Sequence, residues 1–268
     1  MLATRLIELP ATNAHMKLYC VQHDITWENK PANHARVHAL LAAAKPEPGS
    51  LVLLPELFST GFSMNIPAIR EGAARETEKF LATTAREFGV CLLGGSVGNG
   101  ANDRGRNECL VFSPEGREMA RYHKIQPFTL GGESANYEAG QEPVLFEWNK
   151  FQVAPFICYD LRFPEHFRTA TRRGAQLITC IASWPVARIQ HWVTLLQARA
   201  IENQAYVAGV NRCGTDPKLT YNGRSLIISP KGDILADAGN GETVIHAELS
   251  LDELLAYRRD LPFLADMK

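Results

Sequence analysis

Cys158, Glu56 and Lys124 are the residues whose types could do chemistry together: a thiol nucleophile, a carboxylate base and a cation for developing negative charge. Cys158 closes the strand-like run FQVAPFICYD and precedes LRFPEHFRTATRRGA, which reads as a helix. Pro164 suits the first helical turn, Glu165 the positive start, Arg172 and Arg173 the negative end, and Gly174 the C-terminal cap. Cys158 therefore falls on a strand-to-helix turn near backbone N–H groups, where a thiol pKa is lowered and the sulfur is held toward a substrate. A buried structural thiol is the other reading of the same residue. Glu56 ends the apolar run LVLLPEL. A carboxylate there is costly to bury unless paired, and the carboxyl ends of sheet strands are where α/β proteins place ligands. A turn-capping or solvated glutamate is the alternative. Lys124, in RYHKIQPF, precedes the glycine-containing LGGESANYEAG; most lysines are solvated, which is its plain alternative. His123 beside it is a tempting acid–base group, but neighbouring strand residues point to opposite faces.

These residues need a scaffold that alternates strands with helices. SLVLLPEL, VCLLGGSV, NECLVFSP, FQVAPFICYD, AQLITCIAS, QAYVAGVN and RSLIISP read as strands. WENKPANHARVHALLAAAK and AARETEKFLATTAREFG read as helices. Continuous apolar strands such as LVLL and LITCIA predict burial on both faces, hence sheets covered by helices. LVFSPEGREMARY and LIISPKGDILADA repeat a strand, a Ser-Pro-x-Gly turn and a strand, which predicts type II turns and two similar halves stacked as a sandwich. MKLYCVQHD alternates like a first strand from Met16, so residues 1–15 read as an N-terminal extension and 16–268 as a single domain.

Weaker signals have equally good packing explanations. Trp184, in IASWPVAR, ends another apolar strand at the same sheet edge, as an acyl-pocket wall or as core. Arg188 follows on that loop and fits a bidentate fork to a substrate carboxylate, or a solvated surface role. Phe62 in STGFSM and Tyr137 in SANYEAG either close over a substrate or pack. GGSVGNG is not a phosphate cradle, because no helix follows it. His34 and His38 share a helix face but lack further metal ligands, so no metal is expected. Trp192, Leu195, Leu196 and Ala200 form a stripe suited to core or dimer packing.

Composition removes whole classes of function. With 28 Lys+Arg against 29 Asp+Glu the formal net charge is -1, which leaves no basic excess for nucleic acid. No run approaches the ~20 apolar residues of a membrane span, and the first fifteen residues lack a signal-peptide core. The six cysteines include no CxxC pair and read as free thiols. A cytoplasmic protein is the expectation.

LLPELFSTGF, RYHKIQPF and FICYDLRFPEHFR together resemble, in order, the three motif blocks of the nitrilase superfamily, the carbon–nitrogen hydrolases. The resemblance spans nearly all of 16–260. CYDLRFPE, HWVTLLQARAIENQAYVAGVNR and the short GGES loop are most similar to its omega-amidase-like branch, which hydrolyses side-chain amides of short 2-oxo dicarboxylic acids. It implies Glu56 as general base, Lys124 as cationic stabiliser, Cys158 as nucleophile and Glu133 as a second glutamate. It also implies an α-β-β-α sandwich that dimerises. Amide hydrolysis through a thioester needs these groups, with the Tyr159 backbone N–H completing an oxyanion site, and requires no cofactor. The expected substrate is 2-oxoglutaramate or 2-oxosuccinamate. A nitrilase, carbamoylase or acyl transferase activity, or a silent scaffold, are the alternatives.

Overall fold

The computed structural model describes residues 14–267. Residues 1–13 of the expected extension lie outside the described residues. Its last residue, His15, already belongs to the first strand, His15–Gln22.

Two sheets face each other. The first runs Thr243–Ser250, His15–Gln22, Leu51–Leu53, Cys91–Asn99, Gly105–Phe112 and Glu118–His123, with Tyr137–Glu138 beside Gly105–Phe112. The second runs Ile234–Asp237, Leu226–Ile228, Tyr206–Asn211, Leu177–Ala182, Phe151–Ile157 and Phe146–Trp148. Strand alternation explains the layering. In the first sheet Leu18, Cys20, Leu51, Leu53, Cys91, Leu93, Cys109 and Val111 join the core shared with the second sheet. Their neighbours Tyr19, Val21, Val52, Leu54, Leu92 and Leu110 pack instead against Val37, Leu41, Leu81 and Ala85. Those four residues lie on the helices Lys30–Ala44 and Glu76–Phe88. On the far side, Phe167 and Ala170 of helix Pro164–Arg172 and Trp192, Leu196 and Ala200 of helix Ile189–Asn203 cover the second sheet. The result is the four-layer α-β-β-α sandwich expected from the sequence. Among the described residues no helix is long and apolar enough to cross a membrane.

Helix ends follow local chemistry. Asn29 accepts from the Ala32 N–H at the start of Lys30–Ala44. Glu76 and Glu78 open Glu76–Phe88, Arg86 closes it, and Gly89 caps it in the left-handed region at φ 65. The repeated Ser-Pro-x-Gly segments are hairpin turns, but not type II. The Gly116 and Gly232 N–H groups close onto the Ser113 and Ser229 carbonyls, so each glycine is the fourth turn residue. The positive φ falls on Gly116 and Gly232 and the register slips beside each turn, as in a bulged hairpin.

Leu51–Leu53, Phe151–Ile157 and Leu177–Ala182 are parallel strands within their sheets. The chain leaves their carboxyl ends at Glu56, Cys158 and Ser183, which the sandwich brings to one place.

Candidate active site

Glu56 lies just past Leu53, in a turn whose next residue, Leu57, has φ 45. The neighbouring strand must leave room for it. A Cβ on Gly95 would sit 2.3 Å from the Leu57 nitrogen and 2.9 Å from Glu56 Cα, so GGSVGNG serves here as a close-approach segment. Glu56 is fully buried and its carboxylate is held by three groups. Oε1 accepts from Lys124 Nζ at 2.9 Å and Asn107 Nδ2 at 2.7 Å, and Oε2 from the Ser183 N–H at 2.8 Å.

Lys124 follows the strand Glu118–His123, and its ammonium also meets Glu133 Oε1 at 3.1 Å and Oε2 at 2.8 Å. Burial alone would drive the Lys124 pKa down, but Glu133 and Glu56 outweigh it and hold the lysine well above its ordinary value. It stays a cation. Its neighbour His123 turns the other way and meets Glu108 at 3.1 Å, as strand alternation requires.

Cys158 is the first residue after Phe151–Ile157 and carries φ 48, a strained value for a side-chain-bearing residue. Such strain costs about 1–3 kcal/mol, and neighbouring groups must hold it. Asp160 supplies the hold. It accepts from the Ile157 N–H at 2.9 Å, the Gln126 N–H at 2.8 Å and the Tyr122 hydroxyl at 2.7 Å. Hydrogen bonds to a charged group are each worth about 1.5–3 kcal/mol, enough to offset the strain. One buried carboxylate thus ties the turn at Cys158 to both sides of Lys124.

Burial, and then the Glu56 carboxylate, push the Cys158 thiol well above its ordinary range, outweighing Lys124 and the Ser183 N–H. This corrects the lowered pKa expected from the turn. Lys124 is already engaged by two carboxylates, so its pull on the thiol is weak. Cys158 is nevertheless the one cysteine that is not fully buried among the described residues. Iodoacetamide should therefore modify it ahead of the other five, at a rate still climbing beyond about pH 9. A rate already level at neutral pH would mean a resting thiolate.

Glu56 and Cys158 lie at the floor of a cavity of about 520 Å³. Phe62, Tyr159, Trp184 and Arg188, all singled out in the sequence, line it. The Lys124 ammonium lies 5.3 Å from the Phe62 ring centroid. Trp184 is only 3% exposed and also packs on Trp192, so its wall and core roles coexist. The Tyr159 ring packs against Phe128, and its main-chain N–H belongs to the first turn of Cys158–Arg162, where amides lack helical partners. Of the two readings of Tyr137, the packing one describes its place. Tyr137 does not line the cavity, because its strand pairs with Gly105 and Arg106 and carries the ring beneath the wall. There its hydroxyl donates to the Ser63 carbonyl at 2.7 Å. Glu133 sits behind Lys124, with its Oε2 2.8 Å from the ammonium.

Other contributors had no local signature. Asn107 joins Glu56 to Glu133, with Nδ2 2.8 Å from Glu133 Oε1. Arg162 lies over the Trp184 ring at 4.7 Å; its place one turn after Cys158 was the only available hint. The hairpin Cys213–Thr215/Thr220–Asn222 brings Asp216, Lys218, Leu219 and Tyr221 to the rim. Asp216 is occupied by the Lys218 and Leu219 N–H groups and the Tyr221 hydroxyl. Arg162, Arg188 and Lys218 therefore face the cavity with no ion pair among the described residues.

The sequence pattern of the carbon-nitrogen hydrolases matches residues 17–259. The chain belongs to the carbon-nitrogen hydrolase family. This carbon-nitrogen hydrolase is 40% identical over 256 residues to the omega-amidase YafV of Yersinia enterocolitica, covering 94% of the chain and 96% of that protein. It is 34% identical over 250 residues to the 2-oxoglutaramate amidase of Bacillus subtilis, covering 93% and 96%. Among solved structures it is similar to XC1258 of Xanthomonas campestris, a superfamily protein with an arsenic adduct in its active site. That likeness has a TM-score of 0.87 at 32% identity, covering 95% of this chain and 97% of that one.

Proposed function

We propose that this hydrolase removes the terminal amide of a short 2-oxo dicarboxylic acid monoamide, 2-oxoglutaramate or 2-oxosuccinamate, as ammonia. The observation that carries the reading is one cavity lined both by a thiol with its carboxylate and by cations that have no ion pair among the described residues. Glu56 and Cys158 form its floor with Lys124 behind, while Arg188, Arg162 and Lys218 face it as cations with no ion pair among the described residues. A short substrate carrying both an amide and a carboxylate fits that lining. The names of the Yersinia and Bacillus relatives support the same substrate class.

In this reading Glu56 takes the thiol proton as Cys158 Sγ attacks the amide carbon, in keeping with a thiol that is protonated at rest. The oxyanion meets the charge of Lys124 and the Tyr159 N–H. Glu56 passes the proton to the amine, ammonia leaves, and a thioester remains. Glu56 then activates water, which releases the carboxylic acid and restores the thiol. Glu133, saturated by Lys124, Asn107 and the Phe128 N–H, positions the lysine.

Arg188 is the proposed partner of the substrate carboxylate. A charge-assisted hydrogen bond is worth roughly 1.5–3 kcal/mol, so Arg188→Ala should lower kcat/KM by about ten- to a hundredfold on 2-oxoglutaramate. A neutral amide of similar length should lose little. Equal losses on both would remove Arg188 from this role, and wild-type preference for neutral amides, nitriles or carbamoyl amino acids would remove the substrate assignment. A homodimer belongs to the same proposal, supported by Ile201, 52% exposed on the outer helix Ile189–Asn203. Light scattering on the purified protein tests it. A cytoplasmic site of action is supported by six cysteines held as thiols, and cell fractionation tests it.

A further inference from the structure

Glu56 has two carboxylate oxygens, and the hydrogen bonds around them decide which one receives the proton. Each carboxylate oxygen can accept about two hydrogen bonds. Glu133 is full, with Lys124 and Asn107 on Oε1 and Lys124 and the Phe128 N–H on Oε2. Glu56 Oε1 is full as well, with Lys124 at 2.9 Å and Asn107 at 2.7 Å. Among the described residues Oε2 accepts only the Ser183 N–H, and that same N–H also faces the sulfur of Cys158.

We infer that Asn107 is a positioning residue for proton transfer: its amide nitrogen bridges Glu56 and Glu133, closes Glu56 Oε1, and leaves Oε2 to take the Cys158 proton. This rests on the thioester reading. The side chain is 1% exposed, and its two amide hydrogens match its two carboxylate partners. The reverse amide orientation would set an acceptor against two acceptors, so the chemistry decides the orientation. Oδ1 is buried with no partner among the described residues, so the side chain forgoes a hydrogen bond to keep its nitrogen in place. Neutrality matters too. A second cation at this position would cancel the excess negative charge of Glu56 and Glu133 over Lys124 and weaken the base. A neutral donor orients the carboxylates without doing so.

The test compares wild type, Asn107→Leu and Asn107→Asp on 2-oxoglutaramate between pH 6 and 9. Leucine is close in size and donates nothing, so kcat should fall about 100-fold at every pH, with KM within about threefold. Aspartate keeps the shape and donates only when protonated. Glu56, Glu133, Lys124, Tyr137 and Cys158 are the ionisable groups around it. The kcat of Asn107→Asp relative to wild type should therefore be lowest at pH 9 and rise about tenfold or more toward pH 6. A pH-independent ratio for Asn107→Asp, or an Asn107→Leu kcat within threefold of wild type, overturns the inference. A leucine variant that does not fold leaves the aspartate ratio to decide. If the wild type releases no ammonia from any amide, the parent reading fails instead. Cys158 alkylation then reads the same contact: the added carboxylate of Asn107→Asp should shift the reaction to higher pH, and an unshifted profile overturns the role.

Discussion

Cys158→Ala should lose turnover by several powers of ten while keeping the fold, each power being about 1.4 kcal/mol in the barrier. The thioester has no other sulfur to form on, since Cys20, Cys91, Cys109, Cys180 and Cys213 are all buried. Truncation at this position should also cost little stability. Asp160 still grips the turn through Ile157 and Gln126, and alanine gives up only the sulfur's own contact with the core. Ammonia release and a thermal melt, measured on the same preparation, check both halves. Appreciable residual amidase activity would end the nucleophile assignment, and a melt lowered by tens of degrees would mean that Cys158 serves the fold.

Glu56→Gln should separate two properties that usually fall together. Turnover should drop by about 10²–10⁴, because acylation and thioester hydrolysis both need the proton carrier. Alkylation of Cys158 at a given pH should instead become faster. The Glu56 charge is one of the causes that holds the thiol high, and glutamine removes it while Lys124 and the Ser183 N–H remain. Lys124→Arg tests the cation in a different way. Charge is conserved, but a planar guanidinium cannot reproduce one ammonium shared by Glu56 Oε1 and both Glu133 oxygens, so kcat should fall severely. A Glu56→Gln enzyme with near-normal kcat would reduce Glu56 to a structural partner of Lys124.

Much of this was written locally in the chain. The strand runs LVLL, LITCIA and FQVAPFI, with their helices between, determine a covered sandwich, since period-two burial and helix caps are properties of a few adjacent residues. Glu56 and Cys158 were legible for a related reason: a charged or nucleophilic group ending an apolar strand stands out against its own neighbours, whereas Lys124, after the polar strand Glu118–His123, was carried by the family resemblance. What the sequence missed was set by residues far apart along the chain. The sign of the Cys158 pKa shift depends on how deeply the thiol is buried and on a Glu56 carboxylate 102 positions away, so the local turn argument pointed the wrong way. The displacement of Tyr137 from the cavity follows from a strand pairing with Gly105 and Arg106. Asn107, Arg162 and the rim hairpin carry side chains common on any surface, and acquire their partners only when the sheets stack. Hydrophobic period and chain punctuation are short-range and survive in a one-dimensional reading. Desolvation, charge pairing and lone-pair occupancy depend on the three-dimensional neighbourhood, and that neighbourhood exists only once two separate strand ends meet.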